Sequence, residues 1–431
     1  MSLCGLDFGT SNSTIGVLRD GTKCMVPLDD DQDGALQTIM PSAMFFDFED
    51  DTTRFGRAAV ELYTQGVPGR LLRSMKSLLG GTHMGDGTQV KRRFYTFDEI
   101  VSLFVGHLKQ RADAFVDGAG APLDSVVMGR PVYFNDKDPE LDRAAEAHLA
   151  EIARLAGFKE VSFQFEPIAA ALDYEERVAS ETLAVIIDIG GGTSDFTLVR
   201  LSPERRQHAD RKDDFLAHHG THLGGTDFDR RLSMATVMPE FGLGVPYRDR
   251  PGLEMPSHFY WKLATWHQIN LLYEREVRFA LDDLRLVLRD KAPVDRLLAL
   301  IKTRKGHQLA GLVEQAKIEL SAAKDSAIAL QALFDPDSEV EASECLVSRA
   351  QLQDSLQADV EKIFRALDET LTQAGVSESD VDTVFTTGGS TALPMITNLI
   401  DAKFAHAERV GGDLYNSVGS GLLVEAIKRY S

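Results

Sequence analysis

Polar and apolar positions alternate through residues 1–28, with a turn at Asp20-Gly21, which predicts a hairpin-rich opening. A polar loop over 29–34 interrupts it, and Met40-Pro41-Ser42 leads into a strand over 43–48. Helical spacing follows at 58–63 and 70–79, on either side of a Gly/Pro loop, and again over 97–115. A strand is expected over 126–134. Asp138 can cap the next helix, Pro139 suits its first turn and Gly157 ends it. A short strand over 161–165 then meets a small-residue helix over 168–174.

The apolar run beginning at Leu183 repeats the opening of the chain, strand and tight turn together. This recurrence predicts two related lobes, 1–178 and 179–431. Four prolines (Pro239, Pro246, Pro251, Pro256) and both tryptophans fall between 233 and 306, so a separate subdomain is expected at about 230–306. Further helices are predicted over 258–289, 309–320, 352–374 and 421–428, with a buried strand over 381–387.

Composition changes the picture little. A 43% hydrophobic and 26% charged chain of 431 residues is ordinary for a globular protein with large cores. Net charge −20 argues against nucleic acid or anionic membranes as partners. Three cysteines without metal-site spacing fit a reducing cytoplasm, and neither an N-terminal leader nor a bilayer-spanning apolar run is legible.

Candidate chemistry lies at the two repeated turns. Asp7-Phe8-Gly9-Thr10-Ser11-Asn12 and Asp188-Ile189-Gly190-Gly191-Gly192-Thr193 each follow an apolar strand. Such tips expose backbone N–H groups and hydroxyls that can hold phosphate, and their aspartates can hold Mg2+ through its water shell or orient a water. Singly, each aspartate reads more readily as a turn residue bonding its own loop, and the paired recurrence reverses that reading. Glu166 precedes Pro167 at a strand-to-helix junction and can reach the same metal, or cap the helix. Gly224-Gly225 form a further turn able to close on phosphate, and the nearby His218, His219 and His222 lack a convincing ligand pattern. Glu314, Lys317 and Ser321 share one helical face that can offer an acceptor, a cation and a hydroxyl, or serve as a surface ion pair. There is no P-loop pattern.

Taken together, these motifs resemble the Hsp70 nucleotide-binding domain, in family order and over most of the chain. Thr387-Gly388-Gly389-Ser390-Thr391 resembles its second adenosine loop, and the Glu314 helix its first. The resemblance implies an α/β, two-lobed actin-like ATPase fold built from a duplicated ribonuclease H-like unit. It implies ATP or ADP with Mg2+ in the cleft, K+ as a further ion, and a co-chaperone-like or client protein as partner. Asp7, Glu166, Asp188 and Thr193 become the expected catalytic set. The family pattern sets its catalytic lysine after Gly-x-Ala-Ala, where this chain has Val60, leaving Arg57 or Lys76 as substitutes. Ile318 and Ala392 stand where arginines are usual. The family's peptide-binding domain is not expected in this chain. A non-hydrolysing nucleotide-binding module and a small-molecule kinase of the same fold remain alternatives.

Overall fold

Alternation in the opening residues produces an antiparallel pair, β1 (Leu3–Phe8) and β2 (Asn12–Arg19), extended by β3 (Thr22–Met25). The computed structural model describes residues 2–30, 36–73, 75–79, 87–116, 122–135, 138–175, 178–208, 211–334, 340–410 and 416–431. Most of the loop predicted over 29–34 lies outside them. On the other side of β1 run two parallel strands, β4 (Ser125–Arg130) and β5 (Glu160–Phe165). A central strand of this kind is covered on both faces, and β1 is buried along most of its length.

The second sheet repeats this order. β6 (Thr182–Ile189), β7 (Ser194–Leu201) and β8 (Phe215–Thr221) are antiparallel, and β9 (Thr383–Thr387) and β10 (Glu408–Val410) join β6 in parallel. Third, second, first, then two parallel strands is the order in both sheets. The duplication read from the apolar runs is therefore a duplication of topology.

Helix ends follow local chemistry. Asp138 accepts from the amides of Glu140 and Leu141 to start Pro139–Leu155, and Gly157 follows that helix at φ +105°. Helix α1 (Glu166–Glu175) begins immediately after β5. Helix α2 (Gly306–Ala322) packs Leu309, Val313, Ala316 and Leu320 into the large core beneath the second sheet. The last helix, α3 (Asn416–Tyr430), returns to the first sheet, where Leu422, Leu423 and Ala426 pack with Leu3, Val127 and Ala169. The predicted boundary at 178/179 therefore does not hold for this helix. Its apolar face is satisfied by β1, β4 and α1, from the other half of the chain.

Three further expectations are corrected. The helix predicted over 70–79 is a strand, Gly69–Arg73, followed by a short 3-10 turn, Met75–Leu78. The strand pairs antiparallel with Ala43–Asp47, and that partner overrides the helical spacing of Leu71, Leu72 and Met75. The helix predicted over 258–289 breaks at the extended residues Thr265 and Glu274. Its apolar spacing persists because Leu263, Ile269, Leu272 and Leu281 all face one core. The 230–306 segment shares that core with Val185 and Phe196 of the second sheet, so it has no separate apolar cluster among the described residues.

Close packing of α3 depends on small residues. A Cβ on Gly421 would lie 1.8 Å from the Ala169 carbonyl oxygen, inside the backbone of α1. G421A is expected to lose about 1–3 kcal/mol of stability, read as a lowered urea midpoint with unchanged slope.

Candidate functional site

The two turns meet. β1 and β2 close at Gly9–Ser11, and β6 and β7 close at Gly190–Thr193, with Asp7 opposite Thr14 and Asp188 opposite Asp195. A Cβ on Gly191 would lie 2.3 Å from the Ser11 hydroxyl oxygen, so a glycine there is what lets the tips touch. Gly9 accepts from the Ser42 hydroxyl at 2.7 Å and folds tightly against the Asn12 carbonyl, while Thr10 completes this tip. The Gly190 amide donates to the Thr193 carbonyl at 2.9 Å, closing the second tip.

Two more loops lock onto that second tip. Gly225 donates its amide to the Gly190 carbonyl at 2.9 Å, and Thr226 donates both amide and hydroxyl to the Gly191 carbonyl at 2.8 Å. Gly224 packs so closely that a Cβ there would stand 2.7 Å from the Gly192 amide. From the other side, Gly388 has φ +79°, and a Cβ on it would lie 2.7 Å from an Asp188 oxygen. Gly389 opens the short turn that brings the Ser390 hydroxyl to the Gly190 carbonyl at 3.4 Å. From α2, Lys317 donates to the Gly225 carbonyl at 3.1 Å and pairs with Asp229 at 2.8 Å. Two predicted residues of α2 lie differently: Glu314 faces Arg73 at 3.9 Å, and Ser321 sits at the helix end, its carbonyl accepting from Arg349.

Beside the tips lies a half-buried charge cluster. Asp7 and Asp188 are the penultimate residues of β1 and β6, Asp195 is the second of β7 and Glu166 the first of α1. Gly129 leaves room for two of them, since a Cβ there would stand 3.1 Å from Glu166 and 3.5 Å from Asp7. Burial, reinforced by Glu166, pushes the Asp7 carboxyl up to about 7 against the pull of Lys76. Burial, then Asp195, Glu166 and Asp7, pushes Asp188 to about 8. Asp195 rises to about 6, mainly through burial and against a hydrogen bond from Thr193. Lys76 is buried among them and bonds Glu166. Burial alone would lower its ammonium, but Glu166, Asp7 and Asp188 hold it above its ordinary value.

Of the two substitutes expected for the lysine absent at position 60, the structure brings Lys76 to the carboxylates. Val60 packs against Phe45 and Ala59 in a small apolar cluster, while Lys76 supplies the cation among the carboxylates. Arg57 is not that cation; its amide donates to Asp29, which lies outside the cluster. A lysine inside the apolar run Met75 to Leu79 was the available signal, obscured by reading the segment as a helix. Asp195 lies two residues beyond the Asp188–Thr193 turn, and its place opposite Asp188 comes from strand register.

The donor set fits a hydrated cation. Four carboxylates face a single ammonium, an excess of negative charge with the hard oxygen ligands that Mg2+ takes. Among the described residues no group of three or more His, Cys, Asp or Glu side chains is placed to ligate a metal directly.

The sequence model of the Hsp70 protein family matches residues 82–242 and 298–422, more than half of the chain. The chain belongs to the Hsp70 family. Its fold is accordingly the α/β, two-lobed actin-like ATPase fold, which the repeated strand order expresses. The chain is similar to the protein named Chaperone protein DnaK from Thermotoga neapolitana, 26% identical over 427 residues, 98% of this chain and 58% of the relative. The protein of that name from Elusimicrobium minutum is 22% identical over 98% of this chain and 57% of its own length. The chain thus spans less than two thirds of these Hsp70 relatives. Among the described residues no helix is long and apolar enough to cross a membrane.

The raised carboxyls make ligand-free stability depend on pH. Asp7 and Asp188 sit above their ordinary value of 3.8, so their contribution is complete below about pH 4 and is lost as pH rises through 7 to 8. D188N removes one buried charge. Its melting temperature relative to wild type, without nucleotide or metal, is expected to rise between pH 5 and pH 8.5; a difference that stays flat would contradict the raised Asp188 carboxyl.

Proposed function

We propose that this Hsp70-family chain binds ATP with Mg2+ between its lobes and hydrolyses it to ADP and phosphate, in the service of a chaperone-related protein partner. The observation that carries the reading is the convergence of both glycine tips on one half-buried cluster of Asp7, Glu166, Asp188, Asp195 and Lys76. Backbone amides and hydroxyls of Thr10, Ser11, Gly191, Gly192 and Thr193 hold the phosphates from two sides. Asp7, Glu166 and Asp188 hold hydrated Mg2+, which when bound offsets charge on the polyphosphate.

The chain's own residues supply the rest. Lys76 is fixed by Glu166 and stays protonated, so it can stabilise charge gathering on the transferred phosphoryl group. Asp188 and Thr193 orient the attacking water, and Asp195, bonded by Thr193, is a further acceptor for its proton. Glu314, Lys317, Ser321 and the Gly388–Ser390 turn flank the adenosine end. Lys76 among the carboxylates favours hydrolysis over the non-hydrolysing module. The printed name of the relatives supports the chaperone connection. A cytoplasmic setting suits the three free cysteines.

Single-turnover conversion of bound ATP, with Mg2+ and K+, tests this reading. Wild type is expected to accumulate bound ADP. K76A is expected to slow that step about 100- to 1,000-fold while still binding ATP. D188N is expected to stop turnover without unfolding. ATP that stays bound and intact in wild type would refute hydrolysis and leave a nucleotide-sensing scaffold.

A further inference from the structure

Arg130 ends β4 with 9% of its surface exposed, a place where a cation is costly unless it is fully partnered. Five acceptor oxygens surround its guanidinium. Nη1 donates to Glu146, and Nη2 to both oxygens of Asp142 at 2.9 and 3.1 Å, two carboxylates of the helix Pro139–Leu155. Nε donates to the Pro131 carbonyl at 3.0 Å and Nη2 to the Val132 carbonyl at 3.2 Å. Asp142 accepts in turn from the Phe134 amide at 2.6 Å. The guanidinium thus ties the chain leaving β4 to the helix that follows.

Two rings lie against it, Phe134 and Phe165, with centroids 5.2 and 5.3 Å away. Phe165 is also the register partner of Arg130 on β5, and the next residue is Glu166. The end of β4 therefore meets the Glu166 corner at successive residues. Gly129 leaves the carboxylate room, and Arg130 holds Phe165 beside it. Pro131 and Val132 line one cavity with Glu166, Asp188 and Asp195.

The Arg130 charge is answered by Asp142 and Glu146, outside the carboxylate cluster. What it supplies to the cluster is geometry. A planar fork of five N–H donors can serve both carboxylates and both carbonyls while stacking on rings; an ammonium has three donors and no plane.

We propose that Arg130 is a positioning residue for Glu166, fixing the carboxylate that holds hydrated Mg2+ beside the nucleotide. This rests on the reading of Asp7, Glu166 and Asp188 as the holders of the metal. Arg130 sets Phe165 and the turn at 131–132, these set the start of α1, and Glu166 is left in reach of Lys76. All five acceptors of Arg130 lie outside the glycine tips, so binding of nucleotide without metal does not depend on it.

Affinity for a fluorescent ADP analogue, measured in the full chain with Mg2+ and again with EDTA, separates the two contributions. R130M is expected to lose about tenfold of the Mg2+-dependent gain while its affinity in EDTA matches wild type. R130K keeps a cation for Asp142 and Glu146; it is expected to lose about threefold, and it decides the outcome if R130M does not fold. In an E166Q background R130M is expected to cost nothing further, since both changes act through one carboxylate. L149A, on the apolar face of the helix Pro139–Leu155, is expected to lower the melting temperature and leave the Mg2+ gain at its wild-type value. An equal loss in EDTA, or a full further loss in the E166Q background, overturns the proposal. A wild-type chain whose ADP affinity ignores Mg2+ overturns the metal reading and this proposal with it. A wild-type gain that survives both Arg130 variants overturns this proposal alone.

Discussion

Four half-buried carboxylates surround one buried ammonium where the two sheets end, and the surrounding structure answers to that imbalance. Burying an unpaired charge is costly, so such a group either takes up a proton or waits for a counter-charge. Asp7 and Asp188 do the first in the ligand-free chain, with carboxyls raised to about 7 and about 8. A hydrated cation and a polyphosphate satisfy the second condition together. The cluster is thus poised for a ligand that brings both charges.

The glycine tips follow from the same constraint. Anions can be gripped there only if backbone amides come close, and close approach excludes side chains at Gly191 and Gly388. Each tip is in turn stiffened by another loop: Ser42 on Gly9, and Gly225 with Thr226 on Gly190 and Gly191. Rigid tips over a charged floor suit phosphoryl transfer, which depends chiefly on positioning and electrostatics.

Coupling between the lobes uses different physics on different sides of the cleft. At the base, α3 packs apolar side chains against the first sheet through Gly421 and Ala169, a contact without room to slide. At the mouth, Tyr63, Arg73, Trp266, His307 and Glu314 meet through hydrogen bonds, a cation–π contact and a long ion pair. Contacts of the second kind can part and re-form at modest cost. The cleft therefore has a fixed base and a separable mouth.

Local chemistry in the chain was sufficient for the repeated strand-and-glycine turns, for the capped helix after Asp138 and for the Asp7, Glu166 and Asp188 set. Each is a short-range pattern whose residues carry their own backbone preferences or charges. Lys76 could not be placed in this way. Its position depends on the strand Gly69–Arg73 finding Ala43–Asp47 as a partner, and the isolated segment has helical spacing instead. Asp195 gained its place from the register of β6 with β7, and Glu314 its partner Arg73 from the approach of the two lobes. The return of α3 to the first sheet also lay beyond local reading, because an amphipathic helix does not specify which apolar surface will cover it. Sequence alone determined the repeated strand-and-turn elements and the capped helix, whose signals are local. Tertiary structure decided which charges share a space, because that depends on contacts between residues far apart in the chain.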